Sequence, residues 1–225
     1  MGGIQLKQQA FAKNKPDATF AILSKEGDYT RLAVNPGIIN KHYTPQQFAT
    51  IAMVIGEQGA IKYSASYALL LTVPTACVEA AIQALEAVGL MVVKSGPIVA
   101  MRACDFCDGE KMEAALATQL IYESVADTQV PRRVALNVNG CASACYNPTY
   151  DDIGLVYQHN SFDIYLGAVP MGKDAQPGEL FAKKVPVALV PSVVQAILTN
   201  YNKYARASEA FHRFYKRTKH EDFWR

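Results

Sequence analysis

Residues 134–145 read VALNVNGCASAC, an alternating apolar run that leads into a close pair of cysteines. The two valines and the leucine of this run occupy every second position, which is the pattern of a strand with one buried face. The run ends where Cys141 and Cys145 begin a loop. We therefore predict a functional loop at the carboxyl end of a buried strand.

A second cysteine pair, Cys104 and Cys107, follows another short apolar run, Ile98–Met101, which is also predicted to be a strand. Residues 108–125 have helical periodicity. Four apolar residues of this helix are predicted to face the core: Met112, Leu116, Leu120 and Ile121. Because loops that follow neighbouring strands can meet, we expect the two cysteine pairs to converge on one centre.

Four thiolates can hold either a tetrahedral zinc ion or a cubane iron–sulfur cluster, so the ligand type alone leaves both open. Structural zinc sites usually join two tight knuckles by a shorter insert, whereas a helix and a strand separate these two pairs. The spacing favours a cluster, with zinc second and unligated cysteines third. The fifth cysteine, Cys77, lies in an apolar helical pattern and is predicted to be a buried core thiol.

The region before the first cysteine pair alternates strand and helix patterns. Residues 44–47, Thr-Pro-Gln-Gln, combine an N-cap, a proline at the first helical position and a capping-box glutamine. Two strand-helix alternations of this length predict a ferredoxin-like α+β half. The predicted elements are a hairpin of strands 18–25 and 29–34, a helix from Thr44 to near Gly59, strand formers at 60–73, a helix at 75–89 and a strand at 90–93.

We therefore predict an α+β fold in two parts. Residues 1–97 form the ferredoxin-like half, and residues 98–225 form an α/β half that carries the paired cysteines. The later elements predicted in the second half are strands at 153–156 and 162–166, a helix at 191–205 and a terminal helix at 208–217.

The C-terminal segment, residues 203–225, carries seven Lys or Arg residues and three acidic residues, interleaved with aromatic side chains. A nucleic-acid-binding arm has such a composition. So does an amphipathic helix that packs its aromatic stripe on the body of the protein and keeps its charges in water, and this second interpretation is favoured. No nucleic-acid partner is expected.

Composition places the chain among globular proteins. Half of its 225 residues are hydrophobic, which suffices for a buried core, and its formal net charge of +2 gives no general attraction to nucleic acid. The sequence contains no run of roughly 18 apolar residues, the length a membrane span needs, and residues 1–15 are too polar for a signal peptide. We expect a cytoplasmic protein with reduced cysteines and no membrane partner.

The second cysteine pair carries a family resemblance. Residues 140–145 (GCASAC), followed by Pro148 and by residues 152–155 (DIGL), resemble the second cysteine motif of the sirohaem sulfite and nitrite reductases. Residues 131–134 (PRRV) resemble the basic strand start that precedes this motif. The resemblance extends over about residues 18–223 and is most specific at the second cysteine pair.

The resemblance implies a [4Fe-4S] cluster and a sirohaem whose iron shares one cysteine with the cluster. The implied cluster ligands are Cys104, Cys107, Cys141 and Cys145, of which Cys145 is the shared thiolate. The residues implied beside the sirohaem, whose carboxylates need cations or donors, are Lys62, Ser66, Arg102, Arg132, Arg133 and Asn139. Lys62 and Arg133 are also the implied catalytic residues, because a bound oxyanion needs positive charge and protons.

The chain departs from the family at two places. Only two residues separate Cys104 from Cys107, where the family normally has five. Ser66, Tyr67 and Ala135 stand where the family has an arginine, a glutamine and a lysine, so the positive charge that would hold an oxyanion is thinned.

The leading hypothesis is a sirohaem- and [4Fe-4S]-dependent oxidoreductase that reduces a small substrate at the haem. Because the sequence lacks a Gly-rich turn for a flavin or nicotinamide, electrons are expected from an external donor protein. The alternatives are the same cofactors with a larger or less anionic substrate than sulfite, a non-enzymatic electron carrier or tetrapyrrole-binding accessory protein, and a zinc-stabilised module. By analogy with the two-half family members, a homodimer is one way to complete the pocket.

Overall fold

The computed structural model describes residues 22–64 and 68–224. The first half contains seven main elements: β1 (Ser24–Glu26), β2 (Tyr29–Asn35), α1 (Pro45–Ile55), β3 (Ala60–Tyr63), β4 (Leu69–Pro74), α2 (Val78–Ala87) and β5 (Met91–Val92). The strands form one antiparallel sheet in the order β1-β2-β4-β3, and β5 also pairs with β2. Leaving out β1, this is the strand order of a ferredoxin-like fold, and the predicted α+β class is confirmed.

Helix α1 begins where the sequence predicts. The Thr44 side chain accepts a hydrogen bond from the Gln47 amide at 3.2 Å, and the Gln47 side chain accepts one from the Thr44 amide at 2.9 Å. The helix ends at Ile55, earlier than predicted, because Gly56 adopts a left-handed φ of 64° at the C-cap.

The strand-forming stretch 60–73 is two strands rather than one. Ser64 marks the end of the first strand, and its side-chain hydroxyl donates to the carbonyl of Ala68 at 2.8 Å, so the chain turns back on itself. Residues 65–67, which include Ser66 and Tyr67, lie outside the described residues.

The second half forms a mixed sheet with the strand order β10-β9-β8-β7-β6. Strands β6, β7 and β8 run parallel, whereas β9 and β10 are antiparallel to their neighbours. Strand β10 is absent from the sequence prediction because its side chains are exposed or half-buried and give no apolar alternation. The elements are β6 (Val99–Ala103), α3 (Ala115–Val125), β7 (Val134–Asn139), β8 (Ile153–Gln158), β9 (Ser161–Leu166), β10 (Glu179–Pro186), α4 (Val190–Tyr204) and α5 (Phe211–Thr218).

The prediction for helix α3 is wrong in two respects. The helix begins at Ala115 rather than at residue 108, because residues 106–108 all have left-handed backbone angles. Leu116, expected inside, is 72% exposed, and Met112 and Leu120 are also exposed. The buried face consists mainly of smaller residues: Ala115, Ala117, Thr118, Ile121 and Val125. Small side chains let the helix pack closely on its neighbours. A pattern of large apolar residues in the sequence does not reveal such a packing face.

The aromatic C-terminus packs on the body, as predicted. Phe211 and Phe214 on α5 are buried, and their rings lie 5.2 Å and 5.1 Å from the ring of Tyr201 on α4. Trp224 continues this packing with a centroid distance of 5.8 Å to Phe214. The aromatic stripe is therefore occupied by core contacts.

The prediction of a buried Cys77 is wrong. Its thiol is exposed at the start of α2, whose buried face instead presents Val78, Ile82 and Leu85.

The chain passes from the first sheet to the second near the predicted division. The first sheet ends at Val92 and the second begins at Val99, on either side of residue 97. A division into two independent domains at that point stays a prediction. Within residues 22–64 and 68–224, the helices are too short or too polar to cross a bilayer.

Candidate functional site

The parallel pairing of β6 and β7 brings the two cysteine loops together. Ala103 pairs with Val138, and the amide of Cys104 donates to the carbonyl of Val138 at 2.9 Å. Both strands therefore end at the same edge of the sheet, and each passes directly into a cysteine loop. The predicted convergence of the loops follows from this register.

One hydrogen bond joins the loops at their base. The amide of Gly140 donates to Sγ of Cys104 at 3.1 Å. A Cβ atom at position 140 would come within 2.7 Å of Cδ1 of Phe106 and 3.5 Å of Sγ of Cys104. Only glycine fits here without displacing the Phe106 ring, so this residue allows the second loop to approach the first.

The first cysteine loop has an unusual backbone. Phe106, Cys107 and Asp108 have φ values of 54°, 53° and 52°, and the Asp105 side chain accepts a hydrogen bond from the Cys107 amide at 3.0 Å. A left-handed run of non-glycine residues is strained, and such strain concentrates at functional sites. The amide of Phe106, at the start of this run, hydrogen-bonds the Cys104 thiol.

Two asparagines of β7 hold the second cysteine loop. Oδ1 of Asn139 accepts from the amide of Tyr146 at 3.1 Å, and Nδ2 of Asn137 donates to the carbonyl of Tyr146 at 2.9 Å. Nδ2 of Asn139 lies 3.9 Å from Sγ of Cys145. Both asparagines are fully buried, so these contacts fix the peptide that follows Cys145.

Arg102 takes part in the same network. Its Nη2 donates to Oδ2 of Asp151 at 2.6 Å, and the same oxygen accepts from Nδ2 of Asn137 at 2.8 Å. The guanidinium that is predicted to bind a cofactor carboxylate is paired with a carboxylate of the chain, and its role toward a cofactor stays a prediction. In the described part of the chain, Nε of Arg102 and Oδ1 of Asn137 are buried without a hydrogen-bond partner.

The four thiols are unequally exposed and influence one another. Cys104 is buried, Cys141 is half-buried, and Cys107 and Cys145 are exposed. Burial raises the pKa of Cys104, the amides of Gly140 and Phe106 oppose that rise, and the charge of Cys145 adds to it. The pKa of Cys107 is raised by partial desolvation and then by the charge of Cys141.

The thiols repel one another when ionised, which adds to the raised pKa of Cys104 and of Cys107. A cation or metal cluster would relieve that repulsion, because metal binding requires deprotonated thiolates. Over residues 22–64 and 68–224, side chains of His, Cys, Asp and Glu are not gathered in threes around a ready-made position for a metal ion. The assignment of the four cysteines as ligands therefore stays a prediction.

Of the other predicted site residues that the structure describes, Arg132, Arg133 and Lys62 lie outside these loops. Arg132 and Arg133 precede β7, at the opposite end of the strand from Cys141. The six residues of β7 span about 20 Å at a rise of about 3.3 Å per residue, so at least the length of the strand separates the two arginines from the cysteine. Nη1 of Arg133 donates to the carbonyl of Lys94 at 3.0 Å. Lys62 lies on the exposed edge strand β3 of the other sheet, and Ser66 lies outside the described residues.

Sequence reasoning missed Lys41, which precedes α1. Nζ of Lys41 donates to the carbonyl of Ile38 at 2.8 Å and to that of Gly37 at 3.3 Å. Burial lowers the pKa of Lys41 to about 8, and the negative charges of Cys104 and Asp105 oppose that change. The only signal in the sequence is a lysine two positions after the apolar pair Ile38 and Ile39, and this spacing carries no periodic pattern.

The fold and the loops together define an α+β protein in which two cysteine loops meet at the carboxyl edge of a mixed sheet. Residues 86–225 match the family model described as the nitrite and sulphite reductase 4Fe-4S domain. The chain belongs to this family, and the predicted family membership is confirmed.

Two relatives match most of the chain over only part of their own length. A cobalt-factor III methyltransferase of Priestia megaterium is 36% identical over 188 residues, which are 84% of this chain and 35% of the relative. An uncharacterised protein of Methanocaldococcus jannaschii is 28% identical over 148 residues, which are 62% of this chain and 52% of the relative. The chain thus spans about a third of the first relative and about half of the second.

Solved structures share the fold. The NirA protein of Mycobacterium tuberculosis superposes with a TM-score of 0.67 at 16% identity, over 91% of this chain and 41% of that chain. The dissimilatory sulfite reductase DsrI superposes with a TM-score of 0.66 at 11% identity, over 84% of this chain and 67% of that chain. At these identities the likeness shows a common fold.

Proposed function

We propose that the chain is an oxidoreductase of the sulfite and nitrite reductase type that holds a [4Fe-4S] cluster and a sirohaem and reduces a small substrate with electrons from an external donor protein. The observation that carries this is the parallel register of β6 and β7, which sets Cys104 against Gly140 and so joins the two cysteine loops. Family membership adds the expectation of a 4Fe-4S centre at these loops.

The chemistry of the donor set fits the cluster. Cys104, Cys107, Cys141 and Cys145 would supply the four thiolates, and the backbone amide of Gly140 already donates to one of the sulfurs. The amide of Phe106, which also hydrogen-bonds Cys104, would supply a second N–H donor at this sulfur. Such a cluster supplies one-electron transfer, and the protein's part is to hold it, to hydrogen-bond its sulfurs and to limit its contact with water.

The position of Cys145 fits a thiolate shared with a haem iron. Its side chain is exposed, so a tetrapyrrole could approach it, and the neighbouring Asn139 amide lies 3.9 Å from the sulfur and would orient it. A sirohaem there would supply an iron with a free coordination position for the substrate. Tyr146, which Asn137 and Asn139 hold at both its amide and its carbonyl, keeps that loop in place.

The cations implied for the haem carboxylates do not converge at Cys145. Arg102 is paired with Asp151, and Arg132 and Arg133 lie at the far end of β7. In this proposal a second copy of the chain completes the haem pocket, so the active form is a homodimer. The thinned positive charge also favours a substrate that is less anionic than sulfite.

A second candidate is an electron-transfer or tetrapyrrole-binding accessory module. The relative from Priestia megaterium is named for methyl transfer, and this chain matches only 35% of it. A module that occurs within such a protein need not itself carry out sulfite or nitrite reduction. The position of Arg132 and Arg133 at the far end of β7, away from Cys145, also favours an accessory module.

Anaerobic purification followed by visible spectroscopy and metal analysis tests the proposal. We expect about four irons and four sulfides per chain together with a chlorin-type absorption band. Cys141→Ser should lose the cluster, whereas the matched change Cys77→Ser, at an exposed thiol away from the site, should keep it. Zinc in place of iron and sulfide would refute the cluster assignment.

Turnover separates the two candidates. With an artificial reductant, an enzyme of the proposed type reduces sulfite, nitrite or a related small substrate, and size-exclusion chromatography gives a dimer. A loaded cluster without a tetrapyrrole band and without turnover of either anion would favour the electron-transfer module.

A further inference from the structure

Residues 36–44 form the loop between β2 and α1, which we call the junction loop. This loop is part of the first half in sequence, but its apolar residues pack in the core of the second half, which carries the cysteine site. Ile38 is buried in the same apolar cluster as Cys104 and Phe106, and Ile39 packs against that cluster. At the end of the loop, Nε2 of His42 lies 3.5 Å from Oδ1 of Asp108. The first half thus forms one wall of the cysteine site.

Lys41 carries the positive charge of this wall. Its ammonium is held by the carbonyls of Gly37 and Ile38, at 3.3 Å and 2.8 Å, so the charge has a fixed place. Within residues 22–64 and 68–224, no carboxylate forms an ion pair with it. The negative charges of Cys104 and Asp105, in the first cysteine loop, raise the pKa of Lys41 and so favour its charged form.

We infer that Lys41 is a positioning residue that raises the reduction potential of the cluster held by the neighbouring cysteines. This inference rests on the proposed function, since it requires a cluster at that place. One electron passes from the external donor to the site, and the donor is oxidised by one electron. Below about pH 8 Lys41 keeps its proton throughout, and no bond changes there.

The physical reason is electrostatic. Uptake of one electron adds one negative charge at the site, and a fixed cation nearby stabilises the reduced form more than the oxidised form. Lys41 is half-buried, so water and salt screen its charge less than that of a lysine on the open surface. A proton-donating role is not needed, because the charge itself favours reduction.

Redox titration of the cluster-loaded protein tests this. The chain, Lys41→Gln and Lys41→Arg are reduced with dithionite in the presence of mediators, and the reduced cluster is counted by electron paramagnetic resonance. At a fixed potential we expect the ratio of reduced to oxidised cluster to fall about tenfold in Lys41→Gln, which equals about 59 mV for a one-electron couple. Lys41→Arg keeps the charge and should titrate close to the unaltered chain.

A matched control removes a charge of the same sign from the open surface. Lys111 follows the first cysteine loop and is exposed, so Lys111→Gln should change the ratio several-fold less than Lys41→Gln. If Lys41→Gln does not retain its cluster, Lys41→Met, which keeps an unbranched stem, takes its place.

The outcomes are distinct. An equal ratio in the unaltered chain and in the neutral Lys41 variants, with iron and sulfide content preserved, would overturn the inference and leave the proposed function standing. An equal shift in Lys41→Gln and Lys111→Gln would also overturn it, because burial would then play no part. Absence of iron and sulfide from the unaltered chain would overturn both.

Discussion

The amide of Gly140 and the sulfur of Cys104 are hydrogen-bonded at 3.1 Å, although 36 positions separate the two residues in the chain. This contact requires that position 140 lack a side chain, since the Phe106 ring fills the space that a Cβ would enter. The close approach of the second cysteine loop to the first therefore depends on glycine at position 140.

Gly140→Ala should therefore disturb the site. A methyl group 2.7 Å from Cδ1 of Phe106 overpacks the loop, which typically costs about 1–3 kcal/mol. We expect a lower urea midpoint and a lower iron content. Adding Phe106→Leu removes the ring and should restore part of both. A double variant no better than Gly140→Ala would show that the ring is not the obstacle.

Asn139→Ala should weaken the hold on Cys145. The substitution leaves the Tyr146 amide, which is part-buried, without its acceptor, which typically costs about 1–3 kcal/mol. The measurement is the urea midpoint, together with the half-life of the cluster absorption in air. Asn202→Ala, which removes an exposed hydrogen bond to the Gln129 carbonyl, is the control and should change stability by about 0.5 kcal/mol or less.

Asp152 should make stability fall as the pH rises through 6. Burial raises its pKa from 3.8 to about 6, while the Ala135 amide opposes that rise. The folded chain therefore binds this proton more tightly than the unfolded chain does. The resulting stabilisation is complete below about pH 4 and is lost above about pH 6, and it amounts to about 3 kcal/mol in total.

Asp152→Asn removes this titration and keeps an oxygen that can accept from the Ala135 amide. Between pH 5 and pH 7 the unaltered chain should lose about 1 kcal/mol relative to the variant. The check is a pair of urea unfolding series at pH 5, 6 and 7. Parallel pH profiles for the two proteins would contradict the assigned pKa.

Helix α3 should tolerate polar substitution on the face that the sequence assigned to the core. Leu116 is 72% exposed, so Leu116→Gln should change stability by about 0.5 kcal/mol or less. Ile121 on the same helix is fully buried, and Ile121→Ala should cost about 2–5 kcal/mol. Thermal unfolding of the two variants side by side measures the difference, and a larger loss for Leu116→Gln would contradict the observed orientation of the helix.

Local patterns predicted the elements that local forces determine. The capping box at Thr44 and Gln47 fixed the start of α1, and the alternation from Val134 to Val138 fixed β7 and the place of the second cysteine loop. Helix α3 was misjudged because its packing face is set by small residues against the sheet. Cys77 was misjudged because an apolar pattern does not say where a helix ends and its exposed cap begins.

The part of the site that could be predicted from the sequence is the part that follows directly from the ends of strands. The cysteines converge because two adjacent parallel strands deliver them, and the motif marked those strands. The predicted cations come from a resemblance along the chain, which carries no information on which end of a strand faces the site. Arg133 lies at the end of β7 away from the cysteine loops, and its role stays a prediction. Lys41 comes from the other half, and only the structure reveals it, because the neighbouring Ile38 is buried in the same apolar cluster as Cys104.

The junction loop also affects how much of the chain is needed to form the cysteine site. The family match begins at residue 86, after the loop, and it contains all four of the paired cysteines. A polypeptide cut at that boundary would lose Ile38, and water would reach the apolar surface around Cys104 and Phe106. The smallest unit able to shelter this centre is therefore larger than the segment that carries its ligands.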